Sequence, residues 1–583
     1  MPDAALHTNN RTPLLLLLAA LLLTALVYYP GLGGDFVFDD TWNISTNQHI
    51  HINELSLASL GSAADSGQAG PLGRPLSMAS FAVNYYFSEL DPRGYKITNL
   101  AIHLASGCAI FMFVLLLLRA HARTHETGLC DNSIRLTAAL VATLWLLHPL
   151  NLTSVLYVVQ RMTSLASLFM LLAFIAYVYG RSRQIQGEKG TLAILSSVLV
   201  FTPIAILCKE TAVLVPVYLL VIEWSIFRFE TGNRADKNLL RVFFAATIAL
   251  PALAIVAYLI ANPGIIQDSY LIRNFTLTER LYTEARVLWS YVRLIVLPTN
   301  TALGLFHDDI AVSTGLLSPL TTLWSIVGLI LLLGGAVVAR KKLPLISFGI
   351  LFFLAGHSLE SGVLGLEIAH EHRNYLPQLG VLIPAASYLV GWLASAAQRR
   401  LAISAVVAAP LFLGLTTFMR SVTWGDTITF SYAELTHHPE SARANYQMGR
   451  IYAGIAGTDP TTAEYLKYAP LAEQHFVKAG QLQDNYTDGL FGLLVLHSSN
   501  GSVAPPQLIE QIEDTLSRQK PSANTINQLD NLVRCTQNNV CRISASDLDR
   551  IFSSILSNPD LKGRHRQLAS NAIGHFHQTS QAD

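Results

Sequence analysis

Long apolar runs recur along the chain, separated by short polar stretches, and many approach the ~20 residues a helix needs to cross a bilayer. They fall near 13–30, 98–119, 136–150, 162–180, 190–207, 211–227, 240–261, 321–339, 343–357, 379–396 and 401–418. The pattern predicts a mainly α, polytopic membrane bundle of about 11 spans. Arg11 precedes the first run, which ends in Tyr28-Tyr29-Pro30 without a small-residue cleavage site, so it reads as a retained span.

Lysine and arginine collect in alternate loops: Arg119, Arg123 and Arg135; Arg181, Arg183 and Lys189; Arg228, Arg234, Lys237 and Arg241; Arg340, Lys341 and Lys342; Arg399 and Arg400. By the positive-inside rule these mark the cytoplasmic side. The segment 276–298 is apolar enough to span but carries Glu279, Arg280, Glu284, Arg286 and Arg293. Crossing there would put Arg340 to Lys342 outside, so it is expected to lie as an amphipathic helix on the outer surface. The first loop, 148–161, Lys209-Glu210, 262–320, 357–378 and everything after 419 then share the outer face.

Past 419 the pattern changes to a helical period broken by turns. Ala444 to Tyr452, Ala472 to Ala479 and the helix expected after Asn485-Tyr486 read as paired helices of tetratricopeptide type, with a generic helical bundle as the alternative. The expected division is a membrane-embedded part, 1–419, with 31–97 as its first outer loop, and an extracytoplasmic helical repeat-like domain, 420–583.

Composition agrees with a membrane protein: 51% of the 583 residues are hydrophobic and 13% charged. Basic and acidic residues balance at 39 each, which gives no reason to expect nucleic acid as a partner. Five cysteines are too few for a disulfide scaffold. Cys108 and Cys208 sit in apolar runs and Cys130 in a polar loop. Cys535 and Cys541 bracket a short polar stretch at a separation that suits either a local disulfide, if the tail is extracytoplasmic, or two unrelated thiols.

Candidate chemistry begins directly after the first span, at Asp35, Asp39 and Asp40 among aromatic residues. A carboxylate at the membrane surface is expensive, although solvated loop acids are common. Activating a hydroxyl needs a base, and a positioned carboxylate serves. Asp39 and Asp40 are adjacent, so on extended backbone only one faces a reacting centre.

Arg74 follows in the same loop, and Tyr95, Asn99 and His103 form an i, i+4, i+8 stripe that lines either a cavity or a helix contact. His148 and Arg161 bound the next outer hairpin; an arginine at a span's head snorkels or grips phosphate. Lys209-Glu210 is either a structural ion pair or a cation facing the cavity with its partner.

The richest cluster is Glu367, His370, Glu371, His372, Arg373 and Tyr375. If that loop is helical, Glu367, His370 and Glu371 share a face. The spacing is not the His-Glu-x-x-His of zinc proteases, so an arginine holding phosphate, braced by acids and imidazoles, is the more economical reading. No cofactor is dictated, and a divalent cation is left open. No glycine-rich nucleotide loop is present in the sequence.

Phe36-Val37-Phe38-Asp39-Asp40, Gly73-Arg74-Pro75-Leu76, Tyr95 through Asn99 to His103, and His148-Pro149 with Arg161 appear in order, followed by Lys209-Glu210, the amphipathic segment, and His372 to Pro377. This ordered set resembles the GT-C glycosyltransferases, in particular the transmembrane and tetratricopeptide repeat O-mannosyltransferases and their bacterial relatives. The resemblance implies a GT-C-type bundle that transfers a sugar from a polyprenyl-phosphate carrier. It puts the base at Asp39 or Asp40 and cations at the carrier phosphate, for which Arg74, Arg161, Lys209 and Arg373 are the candidates. Asp35, Tyr95, Asn99, His103, His148, Glu210, Glu367, His370, Glu371, His372 and Tyr375 are expected to line the cavity.

The expected acceptor is a secreted or surface protein, or alternatively an envelope glycan or lipid, reached from the outer face of a bacterial inner membrane with the tail in the periplasm. A transporter would gather its charges at mid-membrane, and an envelope-assembly scaffold would tolerate loss of Asp39 or Asp40.

Overall fold

The computed structural model describes residues 12–574 except 128, 263, 484–485, 500–502, 522, 539, 564–565, 568 and 572. Arg11 and Asn485 lie outside the described residues. Helix dominates; among the described residues the β pairing is one isolated bridge between Gly315 and Ser318. In hydrocarbon a helix satisfies its own backbone, so apolar runs of this length fold this way.

Each of the eleven apolar runs coincides with helix, but they differ in reach. Among the described residues eight helices are long and apolar enough to cross a membrane: Thr12–Gly33, Pro92–Thr124, Val158–Ile185, Thr191–Cys208, Glu210–Phe227, Arg234–Ala261, Thr321–Ala339 and Arg399–Thr423. Asp131–Leu146 and Pro149–Leu156 make a pair bent by 54°, where His148-Pro149 interrupts the backbone ladder. Pro344–His357 and Leu379–Leu393 are shorter apolar helices. The protein is thus an integral membrane protein of mainly α, polytopic architecture. Glu210–Phe227, at 67% buried over its apolar window, and Pro92–Thr124 and Val158–Ile185, each at 61%, form the centre. Arg234–Ala261 and Thr321–Ala339, at 6% and 11%, hang on the periphery with leucine and valine outward, as lipid-facing helices do.

Local signals set the element starts. Asp91 accepts a hydrogen bond from the Arg93 backbone at 3.0 Å and Pro92 occupies the first turn, which fixes the start of the central helix. Thr276 and Glu279 form a reciprocal capping box at the head of Leu277–Val296.

That helix has polar and apolar faces, but two of its five charges turn inward while Arg293 stays exposed. Arg280 and Glu284 are buried and paired at 2.8 Å, while Leu281 and Val296 are exposed. The Arg280 guanidinium donates to carbonyls of Glu360, Gly362, Leu366 and Glu367 and so binds the 357–378 loop to the helix. A loop without ladder partners has carbonyls to satisfy, and a buried arginine fork does so.

The expected loop groups are brought together. On one side Arg74 reaches Glu210, Lys209 reaches Glu360, His148 reaches the Ile295 carbonyl and Arg420 reaches Glu371. On the other, Arg119 pairs with Asp131, Arg181 with Glu223, Gln184 bonds Asp236 and Arg340 stacks 3.9 Å over Trp224.

The tail is a run of helices: Thr427–His437, Ala442–Ala456, Ala463–Leu482, Asp488–Ser499, Pro506–Arg518, Ala523–Gln537 and Ala545–Ser557. Phe430 and Ala444 belong to the large core shared with the membrane-embedded helices, whereas Ala456 to Ile573 build a separate one. The tail's first helix and a half are therefore part of the packing beneath the site.

Candidate active site

The adjacent aspartates lie in very different surroundings. Asp40 is fully buried, and its carboxylate accepts from the backbone N–H groups of Val159 at 2.7 Å, Val37 at 3.1 Å and Val158 at 3.3 Å. It clamps the first loop to the turn before Val158–Ile185. Burial pushes its pKa up to about 7, against the pull of those donors and of Lys96.

Asp39 stays accessible to water at the wall of a cavity of about 640 Å³. Dense surrounding protein raises its pKa, opposed by a hydrogen bond from Tyr157 and by the charges of Arg443 and Arg74, and assisted by Glu367. Tyr157 Oη also accepts from the Asp39 backbone N–H at 3.1 Å, which fixes the direction of the residue. Phe38, just before it, has a φ of 48°, in the left-handed region that non-glycine residues avoid at a cost of roughly 1 kcal/mol. Arg74, with φ 55°, is a second such residue.

Beneath the loop lies a chain of charge. Arg74 Nε pairs with Glu210 at 3.0 Å, and Lys209 Nζ pairs with Glu360 at 3.1 Å and donates to Thr163 Oγ1 at 3.0 Å. Arg373 donates to the carbonyls of Ile368 and Glu367, leaving its buried Nε, like Glu210 Oε1, without a hydrogen-bond partner. Thr163, Lys209, Tyr218, Glu360, His372 and Arg373 line a cavity of about 30 Å³, room for about two waters. Burial works against the Glu360 carboxylate, but Lys209 and Arg373 outweigh it and hold its pKa near 2. Burial, then neighbouring cations, keeps the imidazoles of His370 and His372 neutral; the two stack at 4.9 Å.

Several residues expected at the cavity stand in the interior instead. Arg161 is fully buried; Nε donates to Asn99 Oδ1 at 2.7 Å and the other nitrogens to carbonyls of Ser80 and Tyr95, over the Phe81 ring. Each of its nitrogens donates to the protein's own oxygens. Asn99 also donates to the carbonyls of Val155 and Val158, so the Tyr95 to His103 stripe is a helix contact. Tyr95 bonds the Glu89 carbonyl, and His103 sits between Trp145 and Tyr375 with both ring nitrogens bonded.

His148 is spent on the Ile295 carbonyl, and Glu371 on Arg420 and the Gly304 N–H. The loop from 367 to 370 is not helical, so Glu367, His370 and Glu371 share no face. Asp35 is exposed and accepts from Thr427 Oγ1. Of the expected lining set, Glu367, His372 and Tyr375 border cavities, and Glu210 meets the site through Arg74. Among the described residues no group of three or more His, Cys, Asp or Glu side chains converges as a metal site would require.

Three contributors carried no sequence signal strong enough to single them out. Glu360 is an isolated acid just past an apolar run, the same signature that marked Lys209-Glu210. Tyr157 is one aromatic among many. Arg443 lies in an ordinary amphipathic helix, yet it grips Glu367 through both guanidinium nitrogens at 2.7 Å and covers Phe38 at 5.2 Å. Glu367, held by Arg443 from the tail and Arg273 from the 262–320 segment, is kept ionised well below the usual range despite burial. In the tail, Cys535 and Cys541 are disulfide-bonded, with Cα atoms 5.3 Å apart.

No family model and no solved structure matches the chain. Among known proteins it is similar to the human protein O-mannosyl-transferase TMTC4, 26% identical over 464 residues, which covers 72% of this chain and 61% of that protein. A protein O-mannosyl-transferase of Caenorhabditis elegans is 23% identical over 486 residues, 79% of this chain and 63% of its own length. Human protein O-mannosyl-transferase TMTC3 is 30% identical over 203 residues, 32% of this chain and 19% of that protein. The chain spans less than two thirds of the length of the first two relatives. The resemblance carried by the ordered motifs is borne out: this chain's homologues are the proteins named as TMTC protein O-mannosyl-transferases.

Proposed function

We propose that the protein is a membrane glycosyltransferase that moves a sugar from a polyprenyl-phosphate carrier to a hydroxyl group on a polypeptide. The observation that carries this reading is the division between the two aspartates: Asp39 accessible at a large cavity with a raised pKa, Asp40 consumed in holding the loop. A general base works best when its pKa approaches the ambient pH, and it must reach the proton it takes. In the proposed step Asp39 accepts the acceptor's hydroxyl proton as the oxygen attacks the anomeric carbon, and the bond from that carbon to the carrier phosphate breaks. The phosphate leaves with the electron pair.

Arg74, Lys209 and Arg373 are the cations assigned to the phosphate. In the carrier-free state Glu360 and Glu210 neutralise two of them, so carrier binding is proposed to displace a carboxylate from Lys209. The orphaned Arg373 Nε supports this, because an unspent buried donor asks for an acceptor. The relatives' name makes mannose the first sugar to try and protein the first acceptor class.

The outer, periplasmic face of a bacterial inner membrane is the proposed location of the site and tail. The basic loops opposite Asp39 support that orientation by the positive-inside rule, and the Cys535–Cys541 disulfide fits an oxidising compartment.

The test is reconstitution: purified protein in liposomes with polyprenyl-phosphate mannose and an unstructured Ser/Thr peptide. Mannosylated peptide with stoichiometric polyprenyl phosphate, lost in Asp39→Asn, is the expected result. Mannose transferred to added envelope glycan but never to peptide would move the acceptor to that class. No transfer to any acceptor by well-folded protein contradicts the transferase reading.

A further inference from the structure

The cavity at Asp39 does not end at the first loop; it continues across the tail, and its far wall carries carboxamides at helical intervals. Asn524, Asn527, Gln528 and Asn531, all on Ala523–Gln537, line it. Those positions follow the i, i+3, i+4, i+7 stripe of one helix face. The opposite face of the same helix, Leu529, Leu532 and Val533, is buried in the tail's own core. Asn524 bonds Asp488 at 3.2 Å and Gln528 bonds Tyr446 Oη at 3.1 Å. Among the described residues no partner is recorded for the Asn527 or Asn531 amide, and Asn531 is exposed.

On the wall opposite, Gly454 lies exposed within Ala442–Ala456 with open space where a Cβ would stand. Glycine inside a helix costs up to about 1 kcal/mol relative to alanine, so this one keeps space at the expense of stability.

We propose that this groove holds the acceptor as an extended polypeptide, its main chain hydrogen-bonded by Asn527 and Asn531, so that a hydroxyl-bearing side chain at one end meets Asp39. The inference rests on the transferase reading above and supplies its acceptor subsite. A carboxamide offers a donor and an acceptor together, which matches a peptide unit whatever the side chains. Asn527 to Asn531 climbs about 6 Å along the helix axis, close to the ~7 Å between alternate residues of an extended chain. Main-chain recognition of this kind gives affinity without sequence preference, as strand addition does. A lipid tail would want an apolar wall throughout; the first-loop end presents Val37, Phe38, Trp42 and Phe306, but Ala523–Gln537 presents amides. A polyanion would want several unpaired cations; of the two arginines lining the groove, Arg443 is already held by Glu367, which leaves Arg450 alone. A glycan is the remaining occupant, and the test separates it.

The measurement is fluorescence polarisation of a labelled, unstructured 12-residue Gly/Ser/Thr peptide against full-length protein in nanodiscs. Wild type is expected to bind the peptide and its shuffled sequence alike, and to bind a backbone N-methylated copy about tenfold more weakly. Asn527→Ala with Asn531→Ala is expected to lose about tenfold in affinity for the unmethylated peptide. Gly454→Leu is expected to bind weakly while its thermal midpoint stays at or above that of wild type, because only the groove is filled.

Equal binding of methylated and unmethylated peptide by wild type overturns the proposal without recourse to any variant. Unchanged binding by the double variant, or displacement of peptide by a maltoheptaose probe at lower concentration than by peptide itself, overturns it as well. Transfer that needs Asp39 but ignores the amides would leave the transferase reading standing and remove the groove. Amide-dependent peptide binding without transfer to any acceptor would do the reverse.

Discussion

The two sides of the membrane-embedded bundle both bury charge, but they use it differently. On the side away from Asp39, Arg181 and Glu223 are wholly inaccessible. Their bidentate contacts of 2.8 and 2.9 Å, with Tyr177, Gln184 and the Glu230 carbonyl, leave no atom of the pair unsatisfied. On the Asp39 side, Arg373 Nε and Glu210 Oε1 lack hydrogen-bond partners, and cavities adjoin Lys209 and Asp39. Burial alone therefore does not mark a working charge. A closed network holds helices together, whereas an open one beside space retains binding capacity for something that comes and goes.

Substitutions should separate the two kinds of charge. The largest expected effect is at Asp39: Asp39→Asn lowers transfer by about 10²- to 10⁴-fold with an unchanged thermal midpoint. Asp40→Asn sets an amide against three backbone donors, so its effect is on stability, read as a lower midpoint and less protein in the membrane.

Next, Arg181→Met strands Glu223 and is expected to destabilise by about 3–5 kcal/mol, whereas Arg181→Met combined with Glu223→Leu recovers most of that loss. Thermal midpoints of the two variants check it. Lys209→Met belongs to the other class: it leaves Glu360 near Arg373, so folding is retained and turnover of carrier falls. A midpoint loss at Lys209→Met as large as that at Arg181→Met would erase the contrast.

A smaller effect distinguishes the arginines. Arg74→Lys is expected to raise the KM for carrier several-fold, while Arg161→Lys, losing its planar set of three acceptors, shows itself in the midpoint and not in KM.

The smallest is a pH effect. The folded pKa of Glu360 is depressed to about 2 from 4.5, so the stability it contributes is present above pH 4.5 and fades as pH falls through 2. The midpoint difference between wild type and Glu360→Gln should therefore be constant from pH 5 to 7 and shrink toward pH 2.5. A difference that grows on acidification would reverse the assigned sign.

Much of the architecture was legible because apolar runs and basic loops obey simple rules, and the same two groups of loops meet in space. What the runs did not reveal is reach: Pro344–His357 and Leu379–Leu393 read as spans from composition, yet their helices run to 14 and 15 residues, short of the ~20 of a straight crossing. Inside the site, adjacency of Asp39 and Asp40 implied that they face different surroundings, but which of them is buried depended on the turn at Val158 and Val159, 118 and 119 residues away.

Residue type did not foretell the protein partners of Arg161, His103, His148 and Glu371. A polar side chain near a helix end looks the same in sequence whether it meets a ligand or a carbonyl of a distant loop. Arg443 and Glu360 escaped notice for the converse reason: nothing in their neighbours' periodicity sets them apart, and only docking of the tail places Arg443 and only the approach of Lys209 places Glu360.

The central claim is that Asp39 does the chemistry and Asp40 holds the loop. It is tested most directly by intact masses of secreted and surface proteins from cells lacking this protein, complemented with wild type, Asp39→Asn or Asp40→Asn, with membrane levels measured alongside. The account predicts that wild type restores a sugar-sized mass. It also predicts that Asp39→Asn accumulates normally and restores none, and that Asp40→Asn restores mass in proportion to the protein that survives. Restoration by Asp39→Asn at wild-type level would contradict it.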